Sequence, residues 1–484
     1  MNKFQLVSIR RFFITLMIFS CLQVNGQSFA HFISRLNSLP ESQRQAVADS
    51  FMNSGNSFPY TENDTLVNFV YNASAQSVAM AGDATGWNPN KNLMHISGCN
   101  FWYYSTSYES DARLDYKLII NGSNWILDPN NSYTCSGGFG PNSELRMPGY
   151  NVPPEISYYP EIPHGSLSDT SFYSTNLGNS RLVRIYLPPG YPTGSEAYPV
   201  ILFHDGLEYI SLCQANNILD YLIANHLITP VIAVFVPPVD RTSEYAGSKI
   251  DNFSDFITQE LMPSIDTKYK TSTDPSKRAM VGASNGGNIA LYIGMKHPEI
   301  FGKIAAVSSN IQTTISSAFS TGPKLNLSIY LDIGKYDIAS LIPMAYNFRD
   351  ILQANGYAYQ FREWSEGHSW GNWKGHLRFP LEQFFPFTSG LNSMPQNPGF
   401  RLEQNRPNPF RGHTVIPFYA PSGSKVLLTL MDAAGHLLET IYEGTPGNTI
   451  KMVTFTNNYY KPGNYLCTLQ SGSARTSMVV TICE

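Results

Sequence analysis

Hydrophobic positions in residues 151–387 fall into short apolar runs that alternate with stretches of helical spacing. Val200–Phe203 and Val231–Val236 are apolar throughout, as expected of parallel strands covered on both faces. Asp251–Leu261 and Asn288–Met295 repeat apolar residues at helical spacing. Further strands are predicted at Leu182–Tyr186, Ala279–Gly282, Ile304–Val307, Leu327–Ile333 and Tyr359–Trp364. The alternation predicts an α/β domain with a doubly wound sheet.

Shorter strand patterns flank this domain on both sides. Residues 60–150 contain short β-forming runs divided by Gly, Asn and Pro, and they predict a β-sandwich. Residues 400–484 return to strand patterns, which predicts a second β-sandwich. The Ser-, Gly-, Asn- and Pro-rich residues 388–399 predict a linker, and apolar spacing in residues 27–59 predicts a helical arm.

The first 26 residues have the organisation of a signal peptide. A basic segment with Arg10 and Arg11 precedes the apolar run Phe12–Leu22, and Val24 and Gly26 provide small residues for cleavage. Ile18–Cys21 faintly resembles a lipoprotein cleavage site, so lipidation is the alternative. We therefore expect an exported protein, secreted or attached to the cell surface.

The composition narrows the class of protein. Hydrophobic residues make up 42% and charged residues 14% of the 484 residues, which excludes a disordered chain. The formal net charge is −4 and no basic block is present, which argues against nucleic acid as a partner. After the signal peptide, no segment is long and apolar enough to predict a transmembrane helix.

Six cysteines occur along the chain: Cys21, Cys99, Cys135, Cys213, Cys467 and Cys483. Export permits disulfides, and the pairs Cys99–Cys135 and Cys467–Cys483 are one possible arrangement, with Cys213 as a buried free thiol. The cysteines form no CxxC motif and no Cys/His cluster, so we predict no metal site and no cofactor.

The main candidate for chemistry is the segment Val281–Gly287, which contains the pattern Gly-x-Ser-x-Gly between an apolar strand and a helix. Such a sharp turn projects the serine from the end of a sheet, and glycines on both sides remove side chains that would collide with neighbouring backbone. Ser284 is therefore the predicted nucleophile, at the positive end of the following helix.

A serine needs a base and an acid, which follow it along the chain in this kind of fold. His368 lies in a loop directly after the predicted strand Tyr359–Trp364, where the base belongs. The other histidines after Ser284 lie in the C-terminal region or in predicted helical segments: His297, His376, His413 and His436. Asp337 follows the strand Leu327–Ile333 and is the predicted acid, with Asp332 inside that strand as the alternative.

The proposed nucleophile also needs two backbone N–H donors for the oxyanion. Asn285 follows the nucleophile and is the first predicted donor. The second is predicted in the loop after Val200–Phe203, where Gly206 or Leu207 is the donor.

Residues 160–387 resemble the superfamily of esterase D, feruloyl esterases and enterochelin esterases, which are α/β hydrolases. The matching segments are Pro163–Gly165, Arg184–Tyr191, His204–Gly206, Glu260–Asp266, the serine turn, His297–Gly302 and Gly367–Trp370. The substrate-pocket candidates are Arg241, Glu244, Tyr245 and Trp370. An internal ion pair of Arg241 and Glu244 is the alternative role for those two residues.

Two further resemblances concern the flanks. Gly82–Pro89, with Tyr116, Lys117, Gly122, Trp125, Asp128 and Pro129, resembles the early-set immunoglobulin-like, carbohydrate-binding domains that precede many esterases. The resemblance implies that Trp87 and Trp125 either stack on sugar rings or belong to the core. Leu402–Phe410, the Asp432–Gly435 turn and Pro462–Tyr465 resemble the C-terminal sorting domain of the type IX secretion system of Bacteroidetes, which implies export across the outer membrane.

Together these features predict a secreted serine carboxylic-ester hydrolase. The resemblances imply feruloyl or acetyl esters of plant polysaccharide as substrates, and the type IX machinery as a partner. Siderophore, polyester or small acyl esters are the alternative substrates. A surface glycan-binding protein with an inactive hydrolase domain is the alternative outside enzymes.

Overall fold

A computed structural model describes residues 28–192, 197–387, 400–405, 407–421, 423–432, 435–446, 451–472 and 474–483. The predicted signal peptide and the predicted linker lie outside the described residues, and so does the lipidation alternative at Cys21. Among the described residues, no helix has both the length and the apolar character that crossing a bilayer requires.

The predicted helical arm consists of α1 (Phe29–Ser38) and α2 (Glu41–Met52). The Ser28 hydroxyl caps α1 by accepting a hydrogen bond from the His31 N–H. One face of α1 is buried, with Phe29 and Phe32 in a core that also contains Phe101 of the following β region. The arm therefore packs against the N-terminal sheets.

Ten strands make the N-terminal region rich in β-structure: β1 (Tyr60–Glu62), β2 (Leu66–Asn72), β3 (Val78–Gly82), β4 (Lys91–Asn92), β5 (Met94–His95), β6 (Phe101–Ser107), β7 (Arg113–Ile120), β8 (Asn124–Ile126), β9 (Thr134–Gly137) and β10 (Gly140–Arg146). One sheet has the order β1-β2-β6-β5, and β7 lies in a second sheet with β3, β4, β8, β10 and β9. Both sheets contribute to one core, for example through Phe69 and Leu118. The immunoglobulin-like topology stays a prediction.

The central sheet contains β11 (Ser166–Ser174), β12 (Asn179–Leu187), β13 (Val200–His204), β14 (Ile232–Val236), β15 (Arg278–Ala283), β16 (Lys303–Val307), β17 (Ser328–Tyr336) and β18 (Ala358–Gly367). Its order is β11-β12-β14-β13-β15-β16-β17-β18. The strands from β14 to β18 are parallel, while β11 and β12 form an antiparallel edge. Every residue of β13 and β14 is buried, as their apolar sequences predict.

The α-helices described within residues 151–387 are α3 (Gly206–Ser211), α4 (Ala215–Ala224), α5 (Arg241–Ala246), α6 (Ile250–Asp255), α7 (Met262–Lys268), α8 (Asn285–Lys296), α9 (Thr313–Thr321), α10 (Leu341–Ala354), α11 (Trp370–His376) and α12 (Arg378–Phe384). A π-helical turn at Phe256–Leu261 joins α6 to α7. The helices from α5 to α10 share a hydrophobic core with the sheet. The predicted α/β architecture is thus present.

The central sheet continues into the N-terminal region. β18 lies beside β7 in parallel orientation, with Glu366 opposite Arg113. β10 and β9 then extend the sheet beyond β7. The strand that precedes the predicted base, β18, therefore pairs in the sheet with β7 of the N-terminal region.

The C-terminal region is rich in β-structure and contains β19 (Arg401–Leu402), β20 (His413–Tyr419), β21 (Val426–Met431), β22 (Leu437–Gly444), β23 (Lys451–Thr456), β24 (Gly463–Ser471) and β25 (Ala474–Ile482). They form the antiparallel sheets β19-β20-β23 and β22-β21-β24-β25. Phe418, Leu430 and Leu469 are among the residues of their shared core.

The possible disulfides are not formed. Cys99, Cys135, Cys467 and Cys483 are all free thiols in the structure, and Cys99 and Cys467 are buried. Cys213 is a buried free thiol, as proposed from the sequence. Two cysteines in the same region of the chain need not lie close together in the fold, and a disulfide requires specific Cα–Cα and Cβ–Cβ distances.

Candidate active site

Ser284 lies on a sharp turn between β15 and α8. Its backbone has φ 58° and ψ −123°, a conformation that side-chain-bearing residues rarely adopt. A Cβ on Gly282 would collide with the backbone of Gly286. A Cβ on Gly287 would lie 2.6 Å from the Ser309 hydroxyl oxygen. The glycines therefore allow the helix to start directly beside the strand, which leaves Ser284 at the end of the sheet.

The predicted base and acid are in contact. Asp337 directly follows β17, and His368 directly follows β18. The Asp337 Oδ1 atom lies 2.7 Å from His368 Nδ1 and also accepts a hydrogen bond from the Ile338 N–H. The Asp337 side chain is completely buried, whereas the His368 side chain is 19% exposed. The carboxylate is thus buried against the imidazole, which itself remains partly accessible to solvent.

The parallel order β15-β16-β17-β18 places the carboxyl ends of these strands on one edge of the sheet. Ser284, Asp337 and His368 all follow such ends, so the three residues share this edge. The Ser284 N–H donates to the Val307 carbonyl at 2.9 Å. Within the described residues, the Ser284 hydroxyl forms no hydrogen bond with His368. Catalytic hydrogen bonds are often long in the absence of substrate and tighten in the complex.

Asp332, the alternative acid, has a different environment. Its carboxylate accepts hydrogen bonds from the Ser308 N–H, the Tyr330 hydroxyl and the Trp364 indole. Burial raises the pKa of Asp332 to about 6. Asp332 therefore joins β16 to β17 inside the sheet, and it is not the partner of His368.

The predicted oxyanion donors lie at the starts of two helices. The first backbone hydrogen bonds of α3 come from Glu208 and Tyr209 to the Asp205 carbonyl. The first N–H groups of a helix have no acceptor within it, so the helix does not use the N–H groups of Gly206 and Leu207. In α8 the first such bonds come from the Gly287 and Asn288 N–H groups, which likewise leaves the Asn285 N–H unused by the helix. These helices follow β13 and β15, which are neighbouring parallel strands.

An ion pair that the sequence did not predict joins these two loops. Arg241 Nε and Nη2 each lie 2.8 Å from one carboxylate oxygen of Asp205. Arg241 Nη2 also donates to the carbonyl of Ala283, the residue before the nucleophile, at 3.1 Å. A Cβ on Gly206 would collide with the backbone of Phe235 and Val236. Arg241, a predicted pocket residue, therefore anchors the loop of the predicted oxyanion donors to β15, the strand before Ser284.

Burial shows that two of the predicted pocket residues do not line a pocket. Glu244 is fully buried and forms a bidentate ion pair with Arg181 at 3.0 and 3.1 Å. The alternative prediction of an Arg241–Glu244 ion pair is therefore wrong, because Glu244 pairs with Arg181 and Arg241 pairs with Asp205. Tyr245 is also fully buried, and its hydroxyl accepts a hydrogen bond from the Asp205 N–H. Both residues face the interior because α5 packs against α8 and the core beside the sheet. A helix of six residues is too short for its apolar spacing to show which of its sides is buried.

Trp370, the fourth pocket candidate, belongs to an aromatic cluster beside the base. Its ring meets the rings of Tyr209 and Trp373 edge-on, with centroids 5.2 and 4.9 Å apart. The Trp373 ring in turn meets the His368 imidazole edge-on at 5.0 Å. The cluster provides an apolar surface on one side of the predicted base.

Other titratable groups near the site have structural contacts. The His376 ring stacks on Trp364 at 3.7 Å and lies 2.7 Å from a Glu366 oxygen. His204 is fully buried, and burial together with the nearby Arg241 charge lowers its pKa to about 3. Across the described residues, no cluster of three His, Cys, Asp or Glu side chains is arranged to hold a metal ion.

The two tryptophans of the N-terminal region differ in exposure. The Trp87 indole N–H donates to Asp83, a buried carboxylate, which gives Trp87 a structural role. Trp125 is 43% exposed. Only Trp125 of this pair therefore presents a large part of its ring to solvent.

Known proteins that are similar to this chain include esterases. Residues 174–382 match a family model described as "Putative esterase". The chain is 32% identical to the uncharacterized protein YbbA of Bacillus subtilis over 161 residues, which cover 30% of this chain and 61% of YbbA. It is 31% identical over 201 residues to an endo-1,4-beta-xylanase/feruloyl esterase of Xylanibacter ruminicola, covering 39% of this chain and 27% of that protein.

A crystal structure of the enterobactin esterase of Shigella flexneri has a similar fold. The TM-score is 0.57 at 21% identity, and the match covers 69% of this chain and 98% of that one. The fold of the central domain is therefore of the esterase-type α/β hydrolase kind. The family model identifies residues 174–382 as an esterase-type region, and this chain spans less than two thirds of the length of the two relatives named above.

Proposed function

We propose that the protein is a secreted serine carboxylic-ester hydrolase that uses Ser284, His368 and Asp337. The observation that carries this proposal is the 2.7 Å contact of Asp337 with His368 at the sheet edge where the strained Ser284 turn also lies. A buried carboxylate on Nδ1 orients the imidazole so that Nε2 is free to accept a proton. The geometry suits acyl transfer through a serine.

In the proposed mechanism, Ser284 Oγ attacks the ester carbonyl carbon while His368 takes the hydroxyl proton. The N–H groups of Asn285 and of Gly206 or Leu207 stabilise the oxyanion of the tetrahedral intermediate. Its collapse breaks the bond to the alcohol, which leaves with the proton from His368. Water then attacks the acyl-enzyme by the same route and releases the carboxylic acid.

Feruloyl or acetyl esters of plant polysaccharide are the first substrate class that we propose. One relative is a xylanase/feruloyl esterase, to which 201 residues of this chain are 31% identical. Trp370 is partly exposed and suits contact with an aromatic acyl group, because aromatic rings pack favourably edge-on or offset. The buried rings of Tyr209 and Trp373 support it from behind. Exposed Trp125 is the candidate for contact with a sugar ring.

A siderophore ester is the second substrate class. The structural match to the enterobactin esterase covers 69% of this chain, a larger part than residues 151–387 alone. The fold similarity therefore extends beyond the hydrolase domain. This second substrate class is proposed because this larger share of the chain is similar in fold to an enterobactin esterase.

A turnover assay tests the proposed chemistry. We expect the full chain to hydrolyse p-nitrophenyl acetate, and Ser284→Ala to lower kcat by about 10⁶-fold, as loss of a triad nucleophile does. Ser317→Ala, at an exposed serine of α9, is the matched control and should keep wild-type turnover. Glycan binding without turnover by the wild-type chain would instead identify a binding protein with an inactive hydrolase domain.

Competing substrates then distinguish the ester classes. Methyl ferulate, acetylated xylan and a cyclic catecholate triester are compared by kcat/KM. A preference for either of the first two supports a polysaccharide esterase. A preference for the catecholate triester supports a siderophore esterase and refutes the first assignment.

We also propose that residues 400–484 direct export through the type IX system. The signal-like first 26 residues and the motif of Leu402–Phe410 support this proposal. Within that motif, the Asn405 side chain is buried and donates to the Pro407 carbonyl and to Thr414. The full chain should reach the cell surface or medium in a bacterium with a type IX system. Equal export by a strain that lacks the system would contradict the proposal.

A further inference from the structure

The segment 108–113 of the N-terminal region contacts the residues directly before the proposed acid. The Tyr336 hydroxyl donates to Glu109 Oε2 at 2.6 Å, and Lys335 Nζ lies 3.1 Å from Glu109 Oε1. The Tyr108 ring meets the Tyr336 ring edge-on at 5.5 Å. Asp337 is the next residue along the chain. One carboxylate thus holds two consecutive residues at the end of β17.

The same segment contacts both sides of the proposed base. Arg113 is fully buried, and its Nη1 donates to the Ser369 hydroxyl at 3.1 Å and lies 3.6 Å from Glu366 Oε2. A Cβ on Gly371 would overlap the Arg113 guanidinium, so α11 starts directly against this side chain. His368 lies between the two contacted residues.

The N-terminal region supplies a fixed support for Arg113. Asp115 Oδ1 lies 2.7 Å from Arg113 Nη2, and Glu144 Oε1 lies 3.2 Å from Arg113 Nε. The Asp83 side chain occupies the space that a Cβ on Gly367 would need. Displacing this buried guanidinium would leave charges unpaired, which is strongly unfavourable in a protein interior. The loop of His368 therefore packs against a side chain that is held by several ion pairs.

We propose that Glu109 and Arg113 are positioning residues that hold the acid loop and the base loop together, which makes the N-terminal region part of the catalytic apparatus. This inference rests on the proposed Ser284–His368–Asp337 function. Neither residue touches the reacting atoms. Each acts on the residues next to Asp337 and His368, and hence on the Asp337–His368 contact.

The Glu109–Tyr336 contact is suited to a test because Glu109 is only partly buried, so its substitution should not prevent folding. We expect Glu109→Ala and Tyr336→Phe to lower kcat for p-nitrophenyl acetate by about 10-fold or more, since small misplacements of catalytic groups cost up to about 100-fold. KM should change less than about 2-fold. Glu109→Gln keeps an oxygen for the Tyr336 hydroxyl and should restore most of kcat.

The double variant Glu109→Ala/Tyr336→Phe should be no slower than the slower single variant, because both substitutions remove one contact. Asp111→Asn, on the same exposed turn, is the matched control and should keep wild-type kcat. For the second contact, Ser369→Ala should lower kcat in the same manner while the protein stays folded. Thermal unfolding is measured on every variant, so that a fall in kcat is compared at equal folded fractions.

Wild-type kcat in Glu109→Ala and Ser369→Ala, with Ser284→Ala inactive, would overturn this inference and leave the proposed function standing. Equal loss in Glu109→Gln and Glu109→Ala would show that the tyrosine contact is not the operative one, and would also overturn it. A wild-type chain without turnover would overturn the proposed function itself, together with this inference.

Discussion

The strained turn at Ser284 predicts that the nucleophile reduces the stability of the fold. At φ 58° and ψ −123°, a residue with a Cβ has an energy about 1–3 kcal/mol above a relaxed conformation. Glycine adopts this conformation without the steric penalty, although its greater freedom in the unfolded chain lowers stability by about 0.4–1 kcal/mol. Ser284→Gly should therefore be more stable than Ser284→Ala, by about 1 kcal/mol as the central value.

Thermal unfolding of the full-length variants measures this difference. For a domain of this size, about 1 kcal/mol corresponds to a rise in Tm of about 2–4 °C. Both variants lack the nucleophile, so the comparison isolates the backbone effect, and neither should hydrolyse p-nitrophenyl acetate.

The same pair of substitutions at Ser317 provides a control with the opposite sign. Ser317 lies within α9, where glycine is about 1 kcal/mol less favourable than alanine. Ser317→Gly should thus be less stable than Ser317→Ala. An alanine variant at position 284 that is at least as stable as the glycine variant would refute the strain at Ser284.

Three further substitutions test other parts of the site. Gly282→Ala should lower kcat by about 100-fold, because the new Cβ would displace the Gly286 backbone and with it the nucleophile; unchanged single-turnover kinetics would contradict this. Glu244→Ala should destabilise the protein by about 3–5 kcal/mol in denaturant unfolding, because Arg181 remains buried and unpaired, and KM of the folded enzyme should not change. His204 has a pKa of about 3 in the folded protein, below its value of about 6.5 in the unfolded chain. Between these two pH values only the unfolded chain binds a proton at His204. The free energy of unfolding therefore falls as the pH falls, by up to about 1.4 kcal/mol per pH unit. His204→Phe should remove this part of the slope, and an unaltered slope between pH 6 and 4 would disprove it.

The nucleophile turn was predictable from the sequence because its determinants are local. Gly282 and Gly286 lie two residues on either side of Ser284, and the collision that they prevent is between these neighbours. His368 was found in the same way, since it lies in the loop after a predicted strand, where the base belongs in this kind of fold. The parallel strands were also visible, because complete burial of β13 and β14 leaves a continuous apolar run.

Pairings between distant residues were not predictable in this way. Sequence reasoning left Asp332 and Asp337 as alternatives, because the end of β17 was unknown. Only the structure shows that Asp332 bonds within the sheet while Asp337 contacts His368. Nothing in the sequence around Glu244, a residue of α5, distinguishes it from an exposed glutamate, and its partner Arg181 lies far away in the chain, on β12.

The sequence by itself determined the α/β pattern, the β-rich flanks and the turn that carries Ser284, because side-chain periodicity and steric conflicts between near neighbours act over a few residues. The tertiary structure alone decided which acid meets His368 and which carboxylate pairs with Arg241. It also brought Glu109 and Arg113 of the N-terminal region against the loops that carry Asp337 and His368. These contacts depend on the order of strands in the sheet and on burial, which join residues far apart in the chain and leave no periodic signal in it.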